Sequence, residues 1–293
     1  MPGNAPLVSV LMTAYNREKY IAEAIESVLA STCTNFELII ADDCSTDHTL
    51  AIAKKYEAID ARIKVFVNEK NLGDYPNRNR AASYAKGKYL KYLDSDDTIY
   101  PEGLAYSVAQ MEKYPAASFG LSMIDNDHSV PSVFMNSEEV IRKHFFHSSH
   151  LSTGPTGTII KRELFEKMGG FDTRFRMASD SFFNIKIAIL TPVVLLKNRF
   201  FFYRMHEGQE QNNPKGYFIY AYLANKAMLK ELKLPLTHKE ITLLKNKFNR
   251  EHAVALIKHL IIKRKLRESF FVMKETDFGL TDIIRGVLLR FKL

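Results

Sequence analysis

Cysteine is scarce in this chain: Cys33 and Cys44 are the only two, and they form no C-x-x-C pair. Two isolated thiols argue against a disulfide-stapled secreted domain and against a cysteine zinc site. No uninterrupted run of about 18 apolar residues occurs, so no stretch reads as a transmembrane helix. The start, Met1-Pro2-Gly3-Asn4, has neither the basic beginning nor the apolar centre of a signal peptide. The expectation is a cytoplasmic protein. No G-x-G occurs, which removes the dinucleotide fingerprint, and neither G-x-x-x-x-G-K nor G-x-S-x-G is found. Nor is there disorder or low complexity: 25% of residues are charged and 46% hydrophobic, as in a globular protein.

The 293 residues suffice for one large domain or two smaller ones. The net charge is +8, and it is unevenly placed. Residues 1–215 hold 25 Lys+Arg against 26 Asp+Glu, whereas residues 216–293 hold 16 against 7. A basic section suggests an anionic partner, whether phosphate, a membrane surface or nucleic acid. The bland alternative is a solvated helical face.

The first hundred residues alternate apolar runs with helical spacing. Leu7–Met12, Phe36–Ala41, Ile63–Val67 and Tyr89–Leu93 read as strands. Helices are predicted from Ile21 to Leu29, from Asp47 to Tyr56 with Ser45, Thr46 or Asp47 as N-cap, and from Asn77 to Ala85. Such alternation implies a mainly parallel sheet with helices on both faces, whose ligands sit at the carboxyl ends of the strands. Two polar loops there are carboxylate clusters, Asp42-Asp43-Cys44-Ser45 and Asp94-Ser95-Asp96-Asp97. Converging on one sheet edge, they would repel unless a cation or ligand compensates. Asp94-Ser95-Asp96 does not open an EF-hand, since Ile99 stands where glycine is needed and Ala105 where glutamate is needed. His144, His147 and His150 are spaced poorly for a metal and read as surface or packing residues.

Seven motifs in order then resemble family-2 glycosyltransferases of GT-A type. They are Val8–Asn16, Asp42–Asp47, Asn71-Leu72-Gly73, Arg78-Asn79, Leu93–Asp97, Gly169–Asp172 followed by Ser179-Asp180, and Tyr203–His206. The resemblance implies an α/β fold, a Rossmann-like nucleotide-diphospho-sugar transferase sheet, with a C-terminal helical extension. The expected division is a catalytic domain over 1–215, with a nucleotide half to about 100 and an acceptor half from 101. A basic helical extension over 216–293 follows.

The resemblance also implies roles. Asp96 would ligate Mn2+ or Mg2+ directly, and Asp94 would contact ribose or the metal's shell. Asp43 would accept the uracil N3–H, Asp42 would orient its loop, and Tyr15 and Thr13 would line the base site. Asn71 and Arg78 belong to the nucleotide pocket. Arg204 and His206 are expected at the diphosphate or the metal, with Gly208 and Gly216 flanking a polar lid. Asp180 is the expected catalytic base, although Ser179 replaces the family's usual glutamate before it. Cys44 and His48 stand where the family commonly has glycine. Asp97 is expected to cap the next helix.

The activity so implied is inverting, metal-dependent transfer from a nucleotide sugar, with a UDP-sugar as the expected donor. The acceptor would be a hydroxyl of a glycan or lipid-linked sugar in polysaccharide or glycolipid assembly. Between Asn249 and Lys265 an apolar stripe runs beside several basic residues, and Ile283–Leu293 repeats the mixture. That pattern suits peripheral contact at the inner face of a membrane, packing on the catalytic domain, or a homo-oligomer. A sugar-phosphate nucleotidyltransferase-like enzyme is the alternative within the fold, but its glycine-rich N-terminal loop is missing. A non-catalytic nucleotide- or nucleic-acid-binding protein is the alternative outside it. The expectation is no nucleic acid, because the basic residues of the tail lack an aromatic-interleaved binding motif.

Overall fold

Strands β1 (Val8–Ala14), β2 (Phe36–Asp42), β3 (Ile63–Val67) and β4 (Tyr89–Tyr92) alternate with helices α1 (Ile21–Leu29), α2 (Thr49–Ile59) and α3 (Asp74–Ser83). The protein is described here by a computed structural model covering residues 5–122, 131–197, 200–206, 214–262 and 264–288. Next come β5 (Thr98–Ile99), α4 (Gly103–Lys113), β6 (Phe119–Ser122), β7 (Val133–Met135) and α5 (Ser137–Phe146). They are followed by β8 (Thr158–Lys161), α6 (Arg162–Lys167), α7 (Ser179–Leu190), β9 (Val193–Leu196) and β10 (Phe201–Phe202). Four helices close the chain: α8 (Pro214–Glu231), α9 (His238–Ile257), α10 (Leu266–Thr276) and α11 (Leu280–Leu288).

Eight strands form one sheet in the order β3-β2-β1-β4-β8-β6-β9-β7. The half built from β1 to β4 is parallel. In the other half β6 and β9 run parallel, while β8 is antiparallel to β4 and β6, and β7 to β9. The period of two in the apolar runs produces two cores. Val8, Val10 and Met12 of β1 and Leu38 and Ile40 of β2 face one side, where α1 and α4 bury Ile25, Val28, Leu104 and Met111. Leu11, Ile39 and Ala41 face the other, where α5, α7 and α8 bury Val140, Phe183 and Met228. Strands buried on both faces read as continuous apolar runs rather than alternating ones.

The predicted elements are displaced at their ends. Helix α2 starts at Thr49 with His48 at its N-cap and no side-chain cap; Asp47 instead accepts from the Thr49 and Glu18 amides at 2.9 and 3.1 Å. Helix α3 starts three residues earlier than its spacing predicts, because Gly73 takes φ +90 and turns the chain into Asp74. The stripe from Asn249 onward belongs to a longer helix, capped at its start by a Thr237–Glu240 box and ending at Ile257 in a π-helical turn, Lys258–Ile262. Helix α8 and the first part of α9 extend the main core through Ala224, Met228, Leu244 and Phe248. The last part of α9 makes a separate small core with α8, α10 and α11 around Tyr222, Leu256, Val272 and Ile283. There Gly286 lets α11 approach α9 closely; a Cβ at this position would lie 2.7 Å from that of Ala253.

Candidate active site

Parallel β1, β2 and β4 are neighbours, so the loops after them meet at one sheet edge. The first two loops are tied together by backbone and side chain. Asp43 N donates to Ala14 O at 2.8 Å, Asn16 N to Ser45 Oγ at 3.0 Å, and Thr46 N to Asn16 Oδ1 at 2.8 Å. The turns need left-handed residues: Asn16 has φ 52 and Cys44 has φ 64. Asparagine tolerates that region and cysteine does so at a cost. A turn of this kind is the physical reason for glycine at the position Cys44 occupies.

Asp43 is buried, and both its oxygens are engaged. Oδ1 accepts from Asn68 Nδ2 at 2.7 Å and Leu72 N at 2.9 Å, and Oδ2 from Gly73 N at 2.9 Å. A carboxylate offers about four acceptor sites, so one position on Oδ2 is left for a ligand N–H. Asn68 also donates to Asn77 Oδ1 at 2.8 Å, and Asn77 donates to Ala41 O at 2.9 Å. This buried strut fixes Asp43 to the sheet. Asp42, fully buried, holds its own loop by accepting Ser45 N at 2.9 Å.

Asp94, Asp96 and Asp97 bring one carboxylate oxygen each within 4.8 Å of one another. Basic groups come to them from four directions. Arg17 Nε donates to Asp96 Oδ2 at 2.9 Å, and His206 Nε2 lies 2.9 Å from the same oxygen. Buried Arg78 places Nη1 2.6 Å from Asp94 Oδ1 and Nε 2.8 Å from Asp74 Oδ1, an ion pair with each carboxylate. Its burial opposes the charge, but the two carboxylates win and hold the guanidinium pKa well above its ordinary value. Fully buried Lys91 on β4 donates to the carbonyls of Tyr92, at 2.6 Å, and Thr156. Desolvation pulls its pKa down to about 7, against the pull of Asp94 and Asp97.

The pairing of β10 with β5, Phe201 opposite Ile99 and Phe202 opposite Thr98, delivers the last members. It seats Arg204 so that its amide donates to Asp97 Oδ1 and its Nε to Asp96 O, both at 3.0 Å, while Nη2 reaches Glu23 at 2.6 Å. His206 stacks on Tyr20, ring centres 4.9 Å apart. Asp97 therefore does not cap a helix: Glu102 occupies the N-cap of α4, and Asp97 is buried beneath the strap from β10. Burial first, and then the charge of Asp94, push its pKa up to about 7. The fit to a hard divalent cation is good. All three donors are carboxylate oxygens, and Asp97 Oδ2 is buried without a hydrogen bond.

Asp180 is the second residue of α7 and not its cap, which is Ala178. Its Oδ1 accepts Ser181 N at 2.6 Å. Burial raises its pKa to about 6, with the Ser181 amide and the charge of Arg78 working the other way. Arg78 thus links the triad and Asp180 electrostatically.

Of the residues expected from sequence, Asp42, Asp43, Arg78, Asp94, Asp96, Arg204 and His206 converge on this edge. Thr13 is half-buried at the end of β1, opposite Ala41, and Tyr15 is 44% exposed just beyond it. Asn71 is exposed, and Asn68, three residues earlier, takes the position beside Asp43. His206 touches the cluster through Asp96, and Asp97 supplies the third clustered carboxylate. Arg17, Asn68 and Lys91 were not anticipated. Arg17 follows the first motif directly and Lys91 interrupts an apolar strand, both visible anomalies; Asn68 carries no such mark. Gly208 and the segment to residue 213 lie outside the described residues. His144 accepts Leu151 N at 3.2 Å and packs edge-on to Phe145, as a packing residue would.

The profile described as Glycosyl transferase family 2 matches residues 9–183. The Bacillus subtilis glycosyltransferase TuaG, provisionally placed in teichuronic acid biosynthesis, is 40% identical over 136 residues, 46% of this chain and 54% of TuaG. The Escherichia coli UDP-Glc:alpha-D-GlcNAc-diphosphoundecaprenol beta-1,3-glucosyltransferase WfgD is 36% identical over 135 residues, 46% of this chain and 53% of WfgD. The chain spans about half the length of the curated relatives it matches. Among solved structures, Staphylococcus aureus TarS 1–349 in complex with UDP superposes with a TM-score of 0.69 at 25% identity, covering 96% of this chain and 81% of TarS.

Proposed function

The chain belongs to glycosyltransferase family 2, and from that premise we propose that it transfers a sugar, with inversion, from a UDP-sugar to a hydroxyl of a glycan or lipid-linked acceptor. The observation that carries this reading is the triad Asp94, Asp96 and Asp97 on the same sheet edge as Asp43, with Asp180 coupled to it through Arg78. Asp43 keeps one acceptor position for a base with a ring N–H, which suits uracil. UDP bound to TarS and the UDP-glucose donor of WfgD support the same nucleotide. The diphosphoundecaprenol acceptor named for WfgD supports a lipid-linked acceptor and a setting in surface polysaccharide or glycolipid assembly.

Asp94, Asp96 and Asp97 would hold Mn2+ or Mg2+, with His206 beside Asp96. When bound, the cation supplies positive charge for a leaving diphosphate. The chain's own residues do the rest. Asp180 takes the proton from the acceptor hydroxyl as the acceptor oxygen bonds to the anomeric carbon and the bond to the diphosphate oxygen breaks. Its pKa of about 6 leaves it ionised at neutral pH yet basic enough to accept that proton. Arg17, Arg78 and Arg204 hold the carboxylates in place before substrate arrives, so little rearrangement is needed on binding.

The test is release of nucleoside diphosphate from a panel of UDP-, GDP- and dTDP-sugars, with Mn2+, Mg2+ or EDTA. Turnover restricted to a UDP-sugar, abolished by EDTA and by Asp180→Asn, is expected. Turnover that survives Asp180→Asn would overturn the assignment of the base, and a GDP or dTDP preference would overturn the use of Asp43.

A further inference from the structure

Nine of the nineteen exposed large apolar side chains among the described residues lie between 261 and 288. They are not scattered. In α10, Ser269, Val272 and Thr276 point inward at helical spacing, while Phe270 and Phe271 stand 58% and 57% exposed on the opposite side with Arg267 and Lys274. In α11, Ile283 and Gly286 face α9, and Leu280, Ile284, Val287 and Leu288 form an exposed stripe at i, i+4, i+7 and i+8. The π-helical turn adds Ile261 and Ile262, 70% and 74% exposed. The described residues 258–262 and 264–288 carry six Lys+Arg against four Asp+Glu, and Lys263, Arg290 and Lys292 bring the sequence from 258 onward to a net of +5. Between α8 and α10 a cavity of about 290 Å³ is lined by Phe218, Ile219, Phe271 and Val272 together with Arg267, His259 and Glu268.

We propose that α10, α11 and the turn before them form a docking face for an anionic lipid bilayer. Apolar side chains interleaved with arginine and lysine are what an interfacial helix needs. The rings and aliphatic groups enter the boundary between headgroups and acyl chains, about 5–10 Å deep, and the cations reach lipid phosphates. A self-association surface built on these helices would instead bring the positive charge of two copies together. No helix among the described residues is long and apolar enough to cross a membrane, so the contact lies in the plane of the surface. The inference does not depend on which nucleotide sugar is used.

Flotation of the full chain with vesicles of phosphatidylcholine, alone or mixed with phosphatidylglycerol, tests it. The protein is expected to float with the anionic vesicles and to be released by high salt. The double variant F270S/I284S, altered only at exposed positions, should partition at least about tenfold less. R267Q and K274Q should each cost about fivefold on anionic vesicles alone. The far-UV circular dichroism spectrum and thermal midpoint, measured in parallel, should be unchanged in all of them and show that each is folded. No flotation of the folded wild type would overturn the proposal, as would flotation that F270S/I284S leaves intact. A dimer in sedimentation that the same variant dissociates, without vesicle binding, would replace the lipid by a second copy.

Discussion

The strand-end edge and the C-terminal helices spend their residues in opposite ways. At the edge, Asp42, Asp43, Arg78, Lys91 and Asp97 are buried charged groups, and each is met by a backbone amide or carbonyl, an amide side chain or an opposite charge. In α10 and α11 the unusual residues are apolar and point to solvent. Burying charge is costly unless it is paired, and exposing large apolar groups leaves favourable burial unmade. Both conditions are tolerated where a ligand completes them. On the readings proposed above, the edge would take a small charged ligand whose position must be fixed closely, and the tail a broad surface that needs no register.

Perturbing each region should separate the two. The largest effect is expected from Asp180→Asn, which removes the proposed proton acceptor and should lower kcat by about 10²–10⁴-fold with UDP affinity unchanged. The same variant should not lower the thermal midpoint. The folded carboxyl has a raised pKa, so the ionised form is less stable in the fold than in the unfolded chain. That penalty is full above pH about 6, shrinks as pH falls and is gone below the ordinary carboxylate value. The wild-type rate should accordingly lose about tenfold per pH unit below about 6, as Asp180 takes up a proton. A profile flat down to pH 5 would remove Asp180 from the chemistry.

Smaller effects compare structure with structure. Asn68→Ala breaks the strut that holds Asp43, and should destabilise by about 1–3 kcal/mol in chemical unfolding and weaken UDP. Phe270→Ser in the tail should change stability by no more than about 0.5 kcal/mol, because the ring is already exposed. If Phe270→Ser proved as costly as Asn68→Ala, the contrast between the regions would fail. Cys44→Gly relieves a left-handed residue but frees the unfolded chain, so a gain below about 1 kcal/mol is expected.

The parallel half of the fold was legible because strand and helix periods differ and because each strand end carries polar residues that no core would accept. The antiparallel half was less so. Strands β7 and β8 are three and four residues long, too short for a period to show. Motif order singled out Asp43, Asp94, Asp96 and Asp180, and the structure brings the first three to one sheet edge because the loops after parallel strands meet there. The place of Asp97 escaped because it depends on a long-range pairing, β5 with β10, that brings Arg204 over it. Asn68 escaped for a like reason: a buried amide that braces a carboxylate looks, in sequence, like any loop asparagine.

The central claim is that the carboxylate triad and Asp43 form one metal-dependent UDP site. Calorimetric titration of UDP in Mn2+ and in EDTA, on the wild type and on Asp96→Ala, tests it most directly. The account predicts binding that needs Mn2+ and weakens about 100-fold, or about 2.7 kcal/mol, in the variant. UDP binding that is equal with and without Mn2+ and indifferent to Asp96→Ala would contradict it.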